Sequence, residues 1–237
     1  MNSRFINACY RKPVDCTPVW LMRQAGRYLP EYRAIRRKHS FIEMCKNPEL
    51  AAEITLQPIK RFELDAAIIF ADILLPLEKM DVGLAFTKED GPKIRKPIRT
   101  LQQVNKLKVI PPEEGTPSVI EAIKIVKKEL NGRIPLIGFS GAPFTLASYL
   151  IEGGHSQNYL ETKSLMYSKP DVWNELMDKL TQTVLAYLKA QVRAGVDALQ
   201  VFDSWAGCLS PYDYKMNVMP YMKIIFSELK ETEGSSD

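Results

Sequence analysis

Histidine is nearly absent from this 237-residue chain, which has only His39 and His155, and its four cysteines (Cys9, Cys16, Cys45, Cys208) include no C-x-x-C pair. A zinc site needs several nitrogen or sulfur donors at characteristic spacings, so none built from this chain is expected. The cysteines read as reduced thiols of a cytoplasmic protein. The opening MNSRFINACYRKPVD lacks the apolar core of a signal peptide. Every apolar stretch is interrupted by Asp or Pro well before ~20 residues, so no membrane span is expected. Charge is close to balanced, 32 Lys and Arg against 28 Asp and Glu for a net +4. That does not mark out a nucleic-acid partner, although a local basic cluster can still serve an acidic small molecule. No internal repeat or low-complexity tract is present.

What the chain does have is an ordinary globular composition, 46% hydrophobic and 25% charged. Four short apolar runs stand out: Pro18–Met22, Ala66–Phe70, Ile134–Phe139 and Asp197–Phe202. Continuous apolar runs of strand length suit parallel strands covered on both faces. Helical patterns lie between them. One opens at Pro30, one at Asn47-Pro48 with Pro58 inside it, and one at Thr116-Pro117 with Gly132 as its expected C-cap. The longest runs from Pro170 to Gly195, and a last pair from Pro211 to about Lys230 breaks at Pro220. Residues 84–98 read as a surface hairpin around a Lys-Glu-Asp-Gly turn, and residues 231–237 as a polar tail. The alternation predicts an α/β fold, and periodicity alone leaves a (β/α)₈ barrel and a doubly wound sheet both open.

Chemistry-bearing residues gather at the ends of these runs. Arg23 and Arg27 follow the first, with Gly26 between them. Two guanidinium forks on one loop suit a polyanionic ligand; equally, they serve as structural ion-pair partners of Glu31 or another carboxylate. Asp72 follows the second run, either as a partly desolvated carboxylate that meets N–H groups or a developing cation, or as an N-cap. After the third run, Ser140, Gly141 and Ala142 let a ligand approach the backbone, and Tyr149 lies two turns into the next helix, facing a pocket or the core. Asp203 and Ser204 end the fourth. With no G-x-S-x-G elbow and no nearby histidine, Ser204 reads as a positioning hydroxyl and Trp205 as packing. His39 sits in a solvated basic run and His155 on a loop, and neither is assigned a catalytic role.

MRQAGRYLPEYR and GFSGAPFTLASYLIEGG resemble the two signatures of the uroporphyrinogen decarboxylase family, with FADIL and VFDSWAG where that family has its other pocket strands. The resemblance runs from about Asn7 to Lys230. It implies a (β/α)₈ TIM barrel, a homodimer when full length, no cofactor, and conversion of uroporphyrinogen III to coproporphyrinogen III with loss of four carbon dioxides. By matching positions, Arg23 and Arg27 would hold substrate carboxylates and Asp72 would face the pyrrole N–H groups. Tyr149 and Ser204 would position a reacting acetate, and Phe139 and Gly141 would form part of the floor. Asp72, Tyr149 and Arg23 are the catalytic candidates, and no metal is implied.

Four strand-like runs where eight are needed give a further expectation. The chain reads as the N-terminal part of such an enzyme, a single incomplete domain holding about the first half of the barrel, poorly stable or inactive alone. Two alternatives stand beside the decarboxylase: a corrinoid-linked methyltransferase of the same superfamily, and a non-catalytic tetrapyrrole-binding fragment.

Overall fold

The computed structural model describes residues 3–87, 91–154 and 156–233, with residues 23–25, 87, 232 and 233 described by backbone alone. The Lys88-Glu89-Asp90 part of the expected turn, His155, and residues 234–237 of the expected tail lie outside the described residues.

The chain runs α1 (Arg4–Cys9), a 3₁₀ helix (Arg23–Tyr28), α2 (Pro30–Lys38), α3 (Phe41–Lys46), α4 (Pro48–Arg61), β1 (Ala67–Ile68) and a second 3₁₀ helix (Leu75–Met80). It continues through β2 (Leu84–Thr87), β3 (Gly91–Ile94), α5 (Leu101–Lys106), α6 (Pro112–Gly115), α7 (Pro117–Leu130), β4 (Leu136–Gly141) and α8 (Pro143–Glu152). Last come α9 (Leu160–Ser168), α10 (Pro170–Ala194), β5 (Ala198–Phe202), a 3₁₀ turn (Ala206–Cys208), α11 (Pro211–Asn217) and α12 (Met219–Glu233).

Local chemistry sets most of these boundaries. Asn47 Oδ1 accepts from the Leu50 N–H at 2.8 Å and starts α4. Ser40 with Glu43, and Thr100 with Gln103, form reciprocal capping boxes at α3 and α5. Gly195, at φ +107°, ends α10. At the end of α7 the left-handed C-cap is Asn131, at φ 45°, one residue before the expected Gly132; asparagine tolerates that conformation nearly as well as glycine.

The strands form two open sheets: three strands in the order β1-β4-β5, and the antiparallel hairpin β2-β3 with Leu84 opposite Ile94. β1 and β4 are parallel, Ala67 opposite Leu136. β4 and β5 advance together, since Asp197 N–H donates to Leu136 O and Ala142 N–H to Phe202 O, each at 2.8 Å. The expectation of a half-barrel, with four consecutive strands of a (β/α)₈ TIM barrel, is therefore corrected. Among the described residues there are five strands in two sheets, and Pro18–Met22 is not one of them. Val19 and Met22 are 52% and 49% exposed, so that run does not pack like a strand covered on both faces. Asp65 meets both backbone groups of Val19, donating from its N–H to the carbonyl at 2.8 Å and accepting the N–H on Oδ2 at 2.7 Å. A side-chain acceptor satisfies one amide without propagating a ladder.

Contacts divide the chain into two compact units. The first comprises Met1–Asp72, Thr116–Phe139 and Ala190–Gln200. Its centre is α4 packed on α7, where Ala51, Ala52, Ile54, Val119, Ala122, Ile123 and Val126 are buried. Each large aliphatic there contributes about 1.5–3 kcal/mol. Thr55 Oγ1 donates to Ala51 O at 2.7 Å and accepts from the Phe70 N–H at 2.9 Å, tying α4 to the residues after β1. The Phe70 ring meets Tyr32 and Phe41 at 6.2 and 5.9 Å. Lys127 Nζ bridges both oxygens of Asp197 at 2.8 and 2.7 Å, and Asp197 Oδ2 also accepts from the Leu136 N–H.

The second unit comprises Ile73–Gly115, Ser140–Lys189 and Val201–Asp237. α8 is buried on almost every side, with Phe144, Leu146, Ala147, Leu150 and Ile151 at 0% exposure. Trp173 lies edge-on to Phe144 at 6.0 Å and donates its indole N–H to Asn217 O at 3.2 Å. Lys179 of α10 donates to three carbonyls at the end of α5: Val104 (2.9 Å), Asn105 (3.4 Å) and Leu107 (3.1 Å). No helix among the described residues is long and apolar enough to cross a membrane.

Candidate active site

Arg23, Arg27, Asp72 and Phe139 fall in the first unit, and Gly141, Tyr149 and Ser204 in the second. In the first, α4 is the common support. The 3₁₀ helix Arg23–Tyr28 packs on it, and so does β1. Gly26 is buried there, and a Cβ on it would lie 3.7 Å from Pro58 Cγ. Pro58 stands inside α4, so the proline that breaks the helix pattern in the sequence meets the turn that carries both arginines. Arg27 is exposed in the last turn of that 3₁₀ helix, while the Arg23 side chain lies outside the described residues. Glu31, the alternative ion partner for the arginines, is engaged by Arg61 at 2.8 Å.

Asp72 follows Ile69, Phe70 and Ala71, which are 0%, 2% and 0% exposed, and is itself half-buried. The next helix starts at Leu75 with Leu74 at its N-cap position, so Asp72 does not occupy that cap. Phe139 is 2% exposed, and both of its backbone groups are held by Gln191: Oε1 accepts the N–H at 2.9 Å and Nε2 donates to the carbonyl at 2.8 Å.

In the second unit, Gly141 ends β4. A Cβ there would sit 2.8 Å from Leu146 Cδ2 and 3.2 Å from Ile73 Cβ, so a larger residue would require both neighbours to shift. α8 follows at once, with Pro143 in its first turn. Tyr149 is half-buried on α8, its ring 5.8 Å from Trp205, and Trp205 in turn lies 5.6 Å from Tyr159. Ser204 is exposed. Burial pushes the Tyr159 phenol up to about 12.

Asp203, Thr145 and Gln191 carried no role in the sequence reading. Thr145 Oγ1 donates to Asp203 Oδ1 at 2.8 Å, and Asp203 Oδ2 is buried without a hydrogen-bond partner. Burial raises the Asp203 carboxyl above the ordinary aspartate value, against the lowering effect of the Thr145 hydrogen bond. A signal was present in the sequence: Asp203 ends its apolar run just as Asp72 does.

Two cavities lie away from these residues. Both are in the first unit, of about 410 and 430 Å³, and are lined by Arg4, Asp65, Arg133 and Ile134 at the leading ends of β1 and β4. The candidate residues Asp72 and Gly141 lie at the trailing ends. Arg4 is occupied by Asp15 and Asp65, and it holds the Asp15 carboxyl down at about 2. Among the described residues no group of three or more His, Cys, Asp or Glu is placed to hold a metal ion.

Comparison with protein families matches residues 1–235 to the model described as Uroporphyrinogen decarboxylase (URO-D). Uroporphyrinogen decarboxylase of Carboxydothermus hydrogenoformans is 58% identical over 232 residues, 98% of this chain and 66% of its own length. That of Roseiflexus sp. is 58% identical over 222 residues (94% and 64%), and that of Geobacter sulfurreducens 56% over 221 (93% and 64%). The chain spans about two thirds of the length of these relatives. Among solved structures, a methyltransferase from Methanosarcina mazei superposes with a TM-score of 0.73 at 21% identity, over 95% of this chain and 66% of the other, a likeness of fold alone. These matches correct the reading of the chain as merely the N-terminal part of a family member. The family match occupies residues 1–235, essentially the whole chain.

Proposed function

Because the chain belongs to the uroporphyrinogen decarboxylase family, we propose that it removes carbon dioxide from the four acetate side chains of uroporphyrinogen III and releases coproporphyrinogen III. Breaking an acetate C–C bond leaves an electron pair that needs a sink. Protonating the pyrrole ring carbon next to the one that bears the acetate makes the ring that sink, because the positive charge then lies on the acetate-bearing carbon and is shared with the ring nitrogen. As carbon dioxide departs, the pair neutralises the ring by forming an exocyclic methylene. A second proton converts that methylene to methyl, and the ring carbon releases the first proton to restore the pyrrole, so each acetate takes up one proton net. The balance closes without an organic cofactor or a metal.

In this reading Asp72 stabilises the ring cation through its charge, which acts more strongly in a partly desolvated place than in water. Arg23 and Arg27 grip peripheral carboxylates and orient the macrocycle. Tyr149 and Ser204 position the reacting acetate with their hydroxyls, and Phe139 and Gly141 give the tetrapyrrole a surface to lie on. The reaction takes place in the cytoplasm, on a small-molecule substrate, in a homodimer that binds no nucleic acid.

The observation that carries the mechanism is the half-buried carboxylate of Asp72 directly after three residues that exclude water. Asp72→Asn keeps the shape and removes the charge. It is expected to lower kcat by about 10²–10³-fold while the unfolding midpoint stays unchanged, followed by coproporphyrin fluorescence after separation of the oxidised products. Near-normal turnover by this variant would overturn the role of Asp72.

A further inference from the structure

Thr145 is fully buried in the first turns of α8, and its hydroxyl works in two directions. It donates to Asp203 Oδ1 at 2.8 Å and accepts from the backbone N–H of Trp205 at 3.3 Å. The two residues flanking Ser204 are thus fixed by one side chain, 58 and 60 positions away in sequence. The Trp205 ring adds another point of attachment, between Tyr149 at 5.8 Å and Tyr159 at 5.6 Å. Tyr149 stands four residues after Thr145, one turn along the same face of α8. Between the pinned residues, Ser204 alone is exposed.

We propose that Thr145 and Asp203 are positioning residues, a clamp that holds the trailing end of β5 against α8 and so keeps the Ser204 hydroxyl at a fixed place relative to the Tyr149 phenol. The proposal rests on the reading that these two hydroxyls orient a reacting acetate. The environment of Asp203 supports it. A buried carboxylate with one oxygen unpartnered is costly, and an apolar residue would pack there at less cost. The hydrogen bond to Thr145 is what the carboxylate supplies in return, and it ends on the residue that also holds Trp205.

The test compares Thr145→Val, which keeps the shape and loses both hydrogen bonds, with Thr145→Ser, which keeps the hydroxyl. Thr145→Val is expected to lower kcat about 10–100-fold through misplacement of the hydroxyls, with KM within about two-fold, and to lose hydrogen-exchange protection at the Trp205 amide. Thr145→Ser is expected to restore both kcat and protection. A Val variant that turns over and exchanges like wild type would sink the clamp, as would a Ser variant as impaired as the Val variant, or a change confined to KM. Should Thr145→Val not fold, Asp203→Ala removes the acceptor alone and is held to the same kcat loss. If the wild-type chain makes no coproporphyrinogen, the decarboxylase reading fails, and amide exchange at Trp205 still decides the clamp.

Discussion

Gln191 completes the backbone of Phe139 as a neighbouring strand would, giving one hydrogen bond and taking one, at 2.8 and 2.9 Å. The amide is 0% exposed, so no water substitutes for it. It also explains Gly138, where an added Cβ would run into Gln191 Oε1. Gln191→Leu strands a buried N–H and a buried carbonyl. At ~1–3 kcal/mol for each of the two unsatisfied groups, a loss of about 2–6 kcal/mol is expected, read as a lower urea midpoint at unchanged slope. A loss below about 1 kcal/mol would mean that the strand finds another partner.

Asp197 serves Lys127 and the Leu136 N–H at once, with the two side chains only 23% and 25% exposed. Lys127→Met removes just the ion pair, for an expected loss of about 0.5–1 kcal/mol. Asp197→Ala also leaves the β4 amide unpaired and is expected to cost about 1–3 kcal/mol. Equal losses in chemical denaturation would contradict this ordering.

The sign of the pH dependence at Asp203 follows from its burial. Its carboxyl is raised in the folded chain, so the native state holds the proton more tightly than the unfolded chain does. Its contribution to stability is therefore fullest below the ordinary carboxylate pKa of about 3.9 and declines as pH rises through the raised native value. Asp203→Asn removes this slope. The variant is expected to gain on wild type in unfolding free energy as pH rises above about 4, and then to level off. A difference that stays constant across the range contradicts it.

Arg27 is exposed at the end of its 3₁₀ helix, free of any structural demand from Glu31, which Arg61 holds. Arg27→Lys keeps the charge and loses the planar fork. KM for uroporphyrinogen is expected to rise roughly ten-fold, about the worth of one charge-assisted hydrogen bond, with the melting temperature unchanged. Unaltered KM and kcat would remove Arg27 from the substrate's carboxylates.

The sequence made local features readable and left distant ones hidden. β1, β4 and β5 lie within or across the apolar runs at 66–70, 134–139 and 197–202, because continuous apolar residues are what buried strands require. Pro18–Met22 has the same composition but is half exposed, and composition does not reveal which runs find cover. The Ser40–Glu43 capping box marks α3, a six-residue helix that the sequence reading passes over because periodicity cannot register in so short a segment. Thr145–Asp203 and Gln191–Phe139 join positions 58 and 52 apart, pairings that no local pattern encodes. At Gly141 the sequence suggests room for a ligand, while the close approach of Leu146 and Ile73, which no local pattern relates to it, emerges only in the fold.

The ammonium of Lys179 acts like a tethered counter-ion for the carbonyls that close α5. Six residues are too few to persist as an isolated helix, so α5 takes its lifetime from the twenty-five-residue α10 that delivers this charge. The two segments should open as one cooperative event. Acetylating that single amine would uncouple them, and the shorter helix would fray first.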